Sequence, residues 1–125
     1  RVPRAADVIA GRPIGSPEKG FLNLIHVDDA ATAVMSAWNG PCDGGPAHRL
    51  YVVGDDRPVV RGDFYREIAR QCQAPAPRFE SPSAESSVTN RANSNKRSWN
   101  RRMKHDLVPR LRYPTYREGL ADVLS

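Results

Sequence analysis

FLNLIHVDDAATAVMSAW, residues Phe21–Trp38, is the stretch that decides how the fold is read. Phe21, Leu22, Leu24, Ile25 and Val27 form a nearly unbroken apolar run of strand length. Asp28 and Asp29 follow, and either carboxylate can cap a helix by accepting from its orphan N–H groups. Ala30, Val34 and Trp38 then repeat at i, i+4 and i+8, with Ala31 and Met35 beside them, which predicts one apolar helical stripe. Gly40 and Pro41 end the helix. A strand this apolar asks for burial on both faces, as in an α/β sheet covered by helices.

Upstream, Val2, Ala5, Ala6, Ile9 and Ala10 predict a helix over residues 1–10, ended by Gly11 and Pro13. A turn-rich connector with a short extended piece at Pro13–Ile14 leads on to Phe21. Downstream, Gly40–Pro46 reads as a loop and Arg49–Gly54 (RLYVVG) as a second interior strand. Asp55–Pro58 is a turn. Asp63 then caps a helix from Phe64 to about Gln73, with Phe64, Ile68 and Cys72 on its buried face and Tyr65 and Ala69 adjacent. Ala74–Asn90, rich in proline and serine, is a surface loop. Asn95–Trp99 predicts a short strand, and Asn100 the cap of a short basic helix running to Leu107. Pro114–Leu124 is the last helix, started by a Thr115–Glu118 capping box and striped by Tyr116, Leu120 and Leu124.

A chain of 125 residues is one domain or a piece of one. No apolar run approaches membrane-spanning length, so no membrane partner is expected. The chain opens on Arg1 with no apolar segment behind it. No signal peptide is read, and a processed product or a piece of a longer protein is expected. Cys42 and Cys72 make no metal spacing, and a reduced, cytoplasmic setting is the expectation. The formal net charge of +5 is uneven. Arg91–Arg117 holds nine Lys/Arg against Asp106 alone, so the remainder of the chain is net acidic. A basic C-terminal third suits an anionic partner.

Four segments together resemble the C-terminal part of an extended short-chain dehydrogenase/reductase of the NAD-dependent epimerase/dehydratase family. They are Ile25–Val34, Tyr51–Ala69, Asn95–Leu107 and Leu111–Leu120, in the family's order over nearly the whole chain. The resemblance implies an α/β fold: a C-terminal fragment of a Rossmann-type enzyme, made of the last sheet strand (Tyr51–Gly54) and a small substrate-binding lobe. Residues 1–125 would be the substrate-binding portion, with the N-terminal NAD(P)-binding Rossmann part absent. The substrate would be a small molecule, a sugar nucleotide being one candidate, and NAD or NADP would be the cofactor of the full-length enzyme.

No cofactor is expected for this chain alone. Gly11, Gly15, Gly20 and Gly54 do not fit the glycine spacing that lets a pyrophosphate approach a helix N-terminus. The family's catalytic Tyr-x-x-x-Lys is also missing. The positions four after Tyr51, Tyr65, Tyr113 and Tyr116 are Asp55, Ala69, Arg117 and Leu120. The chain alone is therefore expected to be inactive, with no catalytic residue and no metal site.

The resemblance makes His26, in HVDD (His26–Asp29), a neighbour of the substrate pocket. The residues themselves read as a helix cap, since one histidine and two carboxylates make a poor metal set. Nucleotide-sugar members often carry a phosphate-binding arginine where this chain has Leu22. Arg91 or Arg97 is the candidate for a second phosphate arginine, and Arg61 for a contact at the pocket rim. The alternative function is a non-catalytic binding or scaffold module using the basic face. In that reading Trp99 among Lys96, Arg97, Arg101 and Arg102 stacks a base, but no nucleic-acid motif accompanies it and Trp99 is expected to be buried. His48 and His105 are given no role. With most of a sheet missing, the apolar strands predict exposed apolar surface and leave self-association open.

Overall fold

The computed structural model describes residues 2–40, 50–80 and 95–125. Its elements are α1 (Ala5–Ile9), β1 (Phe21–Leu22), α2 (Val27–Asn39), β2 (Val59–Val60), α3 (Arg61–Gln71), α4 (Arg101–Asp106) and α5 (Tyr116–Leu124). Among the described residues the fold is mixed: helices with a small sheet, in which β1 and β2 run antiparallel, Phe21 opposite Val60 and Leu22 opposite Val59. The chain divides into two compact units. The first draws on Arg1–Leu22, Val59–Arg97 and Leu120–Ser125, the second on Asn23–Pro58 and Ser98–Gly119.

In the first unit α1 packs on α3. Val8, Ile14, Phe64, Tyr65, Ile68 and Ala69 are buried there. The helical spacing of Phe64, Ile68 and their neighbours gives α3 one apolar face, and burying such side chains is worth about 1.5–3 kcal/mol each. Gly11 ends α1 with φ +66°, a left-handed conformation that glycine adopts without strain. Ile14 forms a parallel bridge to Phe79: its amide donates to Arg78 O (2.8 Å) and its carbonyl accepts from Glu80 N (3.0 Å).

The second unit closes on Ala33 of α2 and Met103 of α4, with Leu107 and Val108 beside them. Ile25, Tyr51 and Leu111 pack against this cluster. Tyr113 and Tyr116 are also buried.

Several expectations are corrected. The strand from Phe21 is two residues long, and the hydrogen bonds that follow it go elsewhere. Asn23 Oδ1 accepts from Ser98 N (2.6 Å), and Leu24 O accepts from Asp55 N (2.7 Å). Residues 50–54 form no strand. Leu50, Val52 and Val53 are exposed, and no ladder partner lies alongside among the described residues. The partner of β1 is instead Val59–Val60, which follows Pro58 and is too short to signal itself. Residues 95–99 are not a strand either, and Trp99 is 76% exposed rather than buried. Helix α2 turns Asp29 and Ala33 inward, while Val34 and Trp38 of the expected stripe are exposed, as is Met35. Helix α3 starts at Arg61 with no side-chain cap, so Asp63 lies inside it and bonds Arg66. Among the described residues no helix is long and apolar enough to cross a membrane.

Candidate functional site

The HVDD stretch is a joint. His26, not Asp28 or Asp29, is the N-cap of α2: its Nδ1 accepts from Asp28 N (3.3 Å). Its ring lies against that of Tyr113, centroids 3.8 Å apart. Asp29, 3% exposed, turns away from its own helix start. Its two oxygens accept from the backbone N–H groups of Arg112 (2.8 Å) and Tyr113 (2.9 Å). A buried carboxylate satisfied by two amides is a strong tie across 83 residues of sequence, and it fixes which face of α2 is buried.

A second polar cluster surrounds Asn100. Helix α4 begins after this residue, but its side chain does not cap the helix. Its Nδ2 instead faces Gly54 O (3.0 Å), Asp55 O (3.0 Å) and Asp56 Oδ1 (2.7 Å). Lys104 Nζ pairs with Asp56 Oδ2 at 2.7 Å. Burial works against the Asp56 charge, but the hydrogen bonds from Lys104 and Asn100 outweigh it and hold the carboxyl below its ordinary range. Asp55 behaves in the opposite way. Burial lifts it from 3.8 to about 6; the Arg57 amide bond opposes that rise, while the charges of Asp56 and Glu118 add to it. Divergent proton affinities of this kind can serve acid–base chemistry. Asp55, however, is only 7% exposed and is bonded to Arg57 N (2.9 Å), so the pair acts here to hold the 54–57 turn.

The remaining site residues are placed as follows. Arg61 opens α3; its amide donates to Gly20 O (2.9 Å), and its Nη1 donates to Pro17 O (3.1 Å) and Lys19 O (3.4 Å). It braces the loop entering β1. Arg97 sets its guanidinium 4.9 Å from the Phe21 ring centroid. The β1–β2 ladder thus gathers Arg61 and Arg97, while His26 belongs to the second unit. Leu22 is a ladder residue opposite Val59. Arg91 and His48 lie outside the described residues.

In the first turn of α3 a Cβ on Gly62 would meet Glu18 Cγ at 2.7 Å and Arg66 Nη1 at 3.1 Å. The Glu18 and Arg66 side chains thus lie close against this helix start. Among the described residues no group of three or more His, Cys, Asp or Glu could hold a metal.

No family model and no curated protein matches the chain. One solved structure it resembles is described as a functionally unknown conserved protein from Silicibacter pomeroyi DSS. The two are 28% identical with a TM-score of 0.72, over 97% of this chain and 43% of the other. The chain therefore spans less than half the length of that solved relative.

A groove of about 560 Å³ in the second unit escaped the sequence reading. Leu50, Val52, Trp99, Arg101, Arg102, His105 and Asp106 line it. Residues 101, 102, 105 and 106 share one face of α4 through the i, i+4 repeat. Asp106 is buried and accepts from Tyr51 Oη (3.1 Å). Its other oxygen lies 2.6 Å from His105 Nδ1. The available signal was the aromatic among cations at residues 96–102, which the expected burial of Trp99 had set aside.

Proposed function

We propose that this chain is the substrate-binding C-terminal portion of an NAD(P)-dependent epimerase/dehydratase-like oxidoreductase of the extended short-chain dehydrogenase/reductase class. The uncovered apolar face of α2 carries this reading. Val27, Val34, Met35 and Trp38 are 71, 66, 60 and 88% exposed on a helix whose sequence is striped for burial. Contiguous apolar surface of this kind marks a contact that is missing. A chain that matches under half of a longer protein along nearly its own whole length has somewhere for that contact to come from. In this reading a Rossmann part covers α2, supplies the glycine-rich turn and the Tyr-x-x-x-Lys pair, and meets the substrate held by this lobe. His26 and Asp29 support the wall of the lobe rather than react.

The test is calorimetric titration with NAD⁺ and NADPH of residues 1–125 and of the same chain extended by its upstream coding sequence. The extended protein is expected to bind one of the two dinucleotides, and residues 1–125 neither. Micromolar binding by residues 1–125 alone, or failure of the extended chain to bind either, would overturn the reading.

A further inference from the structure

The groove beside α4 combines three features that neither the polar joints nor the α2 face uses. Part of its lining is apolar, from Leu50 and Val52. Its wall carries Trp99, 76% exposed, a large aromatic surface left in water. Its rim is cationic. Arg101 sets its guanidinium 5.7 Å from the Trp99 ring centroid, and Arg102 Nη1 makes a long contact to Leu50 O (3.4 Å). The carboxylate in the lining, Asp106, is buried and already engaged by Tyr51 and His105. Among the described residues that line it, the groove therefore presents stacking surface and positive charge without a competing exposed acid.

Each feature selects the ligand further. An indole face stacks planar rings, worth about 1–3 kcal/mol per base where this has been measured. Guanidinium forks match phosphate oxygens with paired N–H donors. The volume lies within the roughly 300–1,000 Å³ of sites that enclose one small molecule. Phosphate alone would leave the apolar lining and the indole unused, and an apolar ligand would leave the arginines unused. We propose that this groove binds a mononucleotide, its base stacked on Trp99 and its phosphate held by Arg101 and Arg102. The proposal stands on residues of the second unit and does not depend on the family reading.

The experiment follows the indole N–H signals of the isotope-labelled chain by nuclear magnetic resonance, with W38F assigning the two tryptophans. AMP is expected to shift the Trp99 signal saturably and to leave the Trp38 signal in place. Adenosine and inorganic phosphate alone should each bind more weakly than AMP. The R101A/R102A double variant should weaken AMP about tenfold or more, which corresponds to about 1.4 kcal/mol, and change adenosine binding less. Should that variant not fold, W99A, at an exposed position, should weaken AMP by a comparable factor in calorimetry. Absence of a saturable Trp99 shift overturns the proposal, as does equal loss of AMP and adenosine affinity in R101A/R102A or full AMP affinity in W99A. Binding confined to a single-stranded oligonucleotide, with a steep salt dependence, also overturns it and would make the groove part of a nucleic-acid surface.

Discussion

Asp55 is a carboxyl group that the fold would rather keep neutral, and replacing it tests the electrostatics of the second unit. It is 7% exposed, and its Oδ1 accepts from Arg57 N at 2.9 Å. Burial is the main cause of its rise from 3.8 to about 6, and the neighbouring Asp56 and Glu118 charges add to it against the Arg57 bond. Between about pH 4 and pH 6 the folded chain holds a proton that the unfolded chain has released. Stability therefore falls as pH rises through that window and stays reduced above it. At 1.36 kcal/mol per pH unit, ionised Asp55 costs up to about 3 kcal/mol near neutrality. Asp55→Asn keeps a carbonyl oxygen for the Arg57 amide and removes the charge. The variant is expected to be more stable by about 1–3 kcal/mol near neutral pH and to converge on the parent below about pH 4. Urea unfolding followed by circular dichroism across this range reads the difference directly. A D55N protein equal to or less stable than the parent near neutrality, or one that keeps the parent's pH slope, would refute the reasoning.

Other outcomes follow from the same packing. Asn100→Asp is nearly isosteric but sets an acceptor against the oxygens of Gly54, Asp55 and Asp56; urea unfolding should show a loss of about 3 kcal/mol. Met103→Ala empties a site that is 0% exposed and should lose about 2–5 kcal/mol in the same assay, with near-parental stability contradicting the second core. Val34→Glu with Trp38→Glu should change stability by no more than about 0.5 kcal/mol per site, because both side chains are exposed. Sedimentation velocity should show less self-association for that variant than for the parent. A large loss of stability would mean that the α2 face is covered.

The sequence was most legible where a signal was local. The Thr115–Glu118 capping box is present: Thr115 N and Oγ1 both bond Glu118 Oε2, and Arg117 N donates to Thr115 Oγ1. The Phe64–Ile68 face of α3 and the stop at Gly11 were equally readable. Less legible was what a residue does when its partner lies far along the chain. Asp29 looked like a helix cap, yet it ties residues 112 and 113; His26 takes the cap instead. Asn100 looked like a cap and serves the 54–57 turn. The apolar runs at 21–27 and 50–53 had strand composition, but a ladder needs a neighbour, and hydrophobicity alone names none. The groove went unread for a related reason: the exposure of Trp99 depends on whether residues 95–99 pair as a strand, and they do not.

The central claim, that this chain completes an NAD(P)-dependent enzyme of the epimerase/dehydratase type, meets its most direct test in the coding DNA immediately upstream of Arg1. The account predicts a reading frame continuous with this one, encoding a glycine-rich strand–helix turn and, beyond it, a Tyr-x-x-x-Lys. An in-frame stop or start codon adjoining the codon for Arg1, with neither motif encoded upstream, would contradict it.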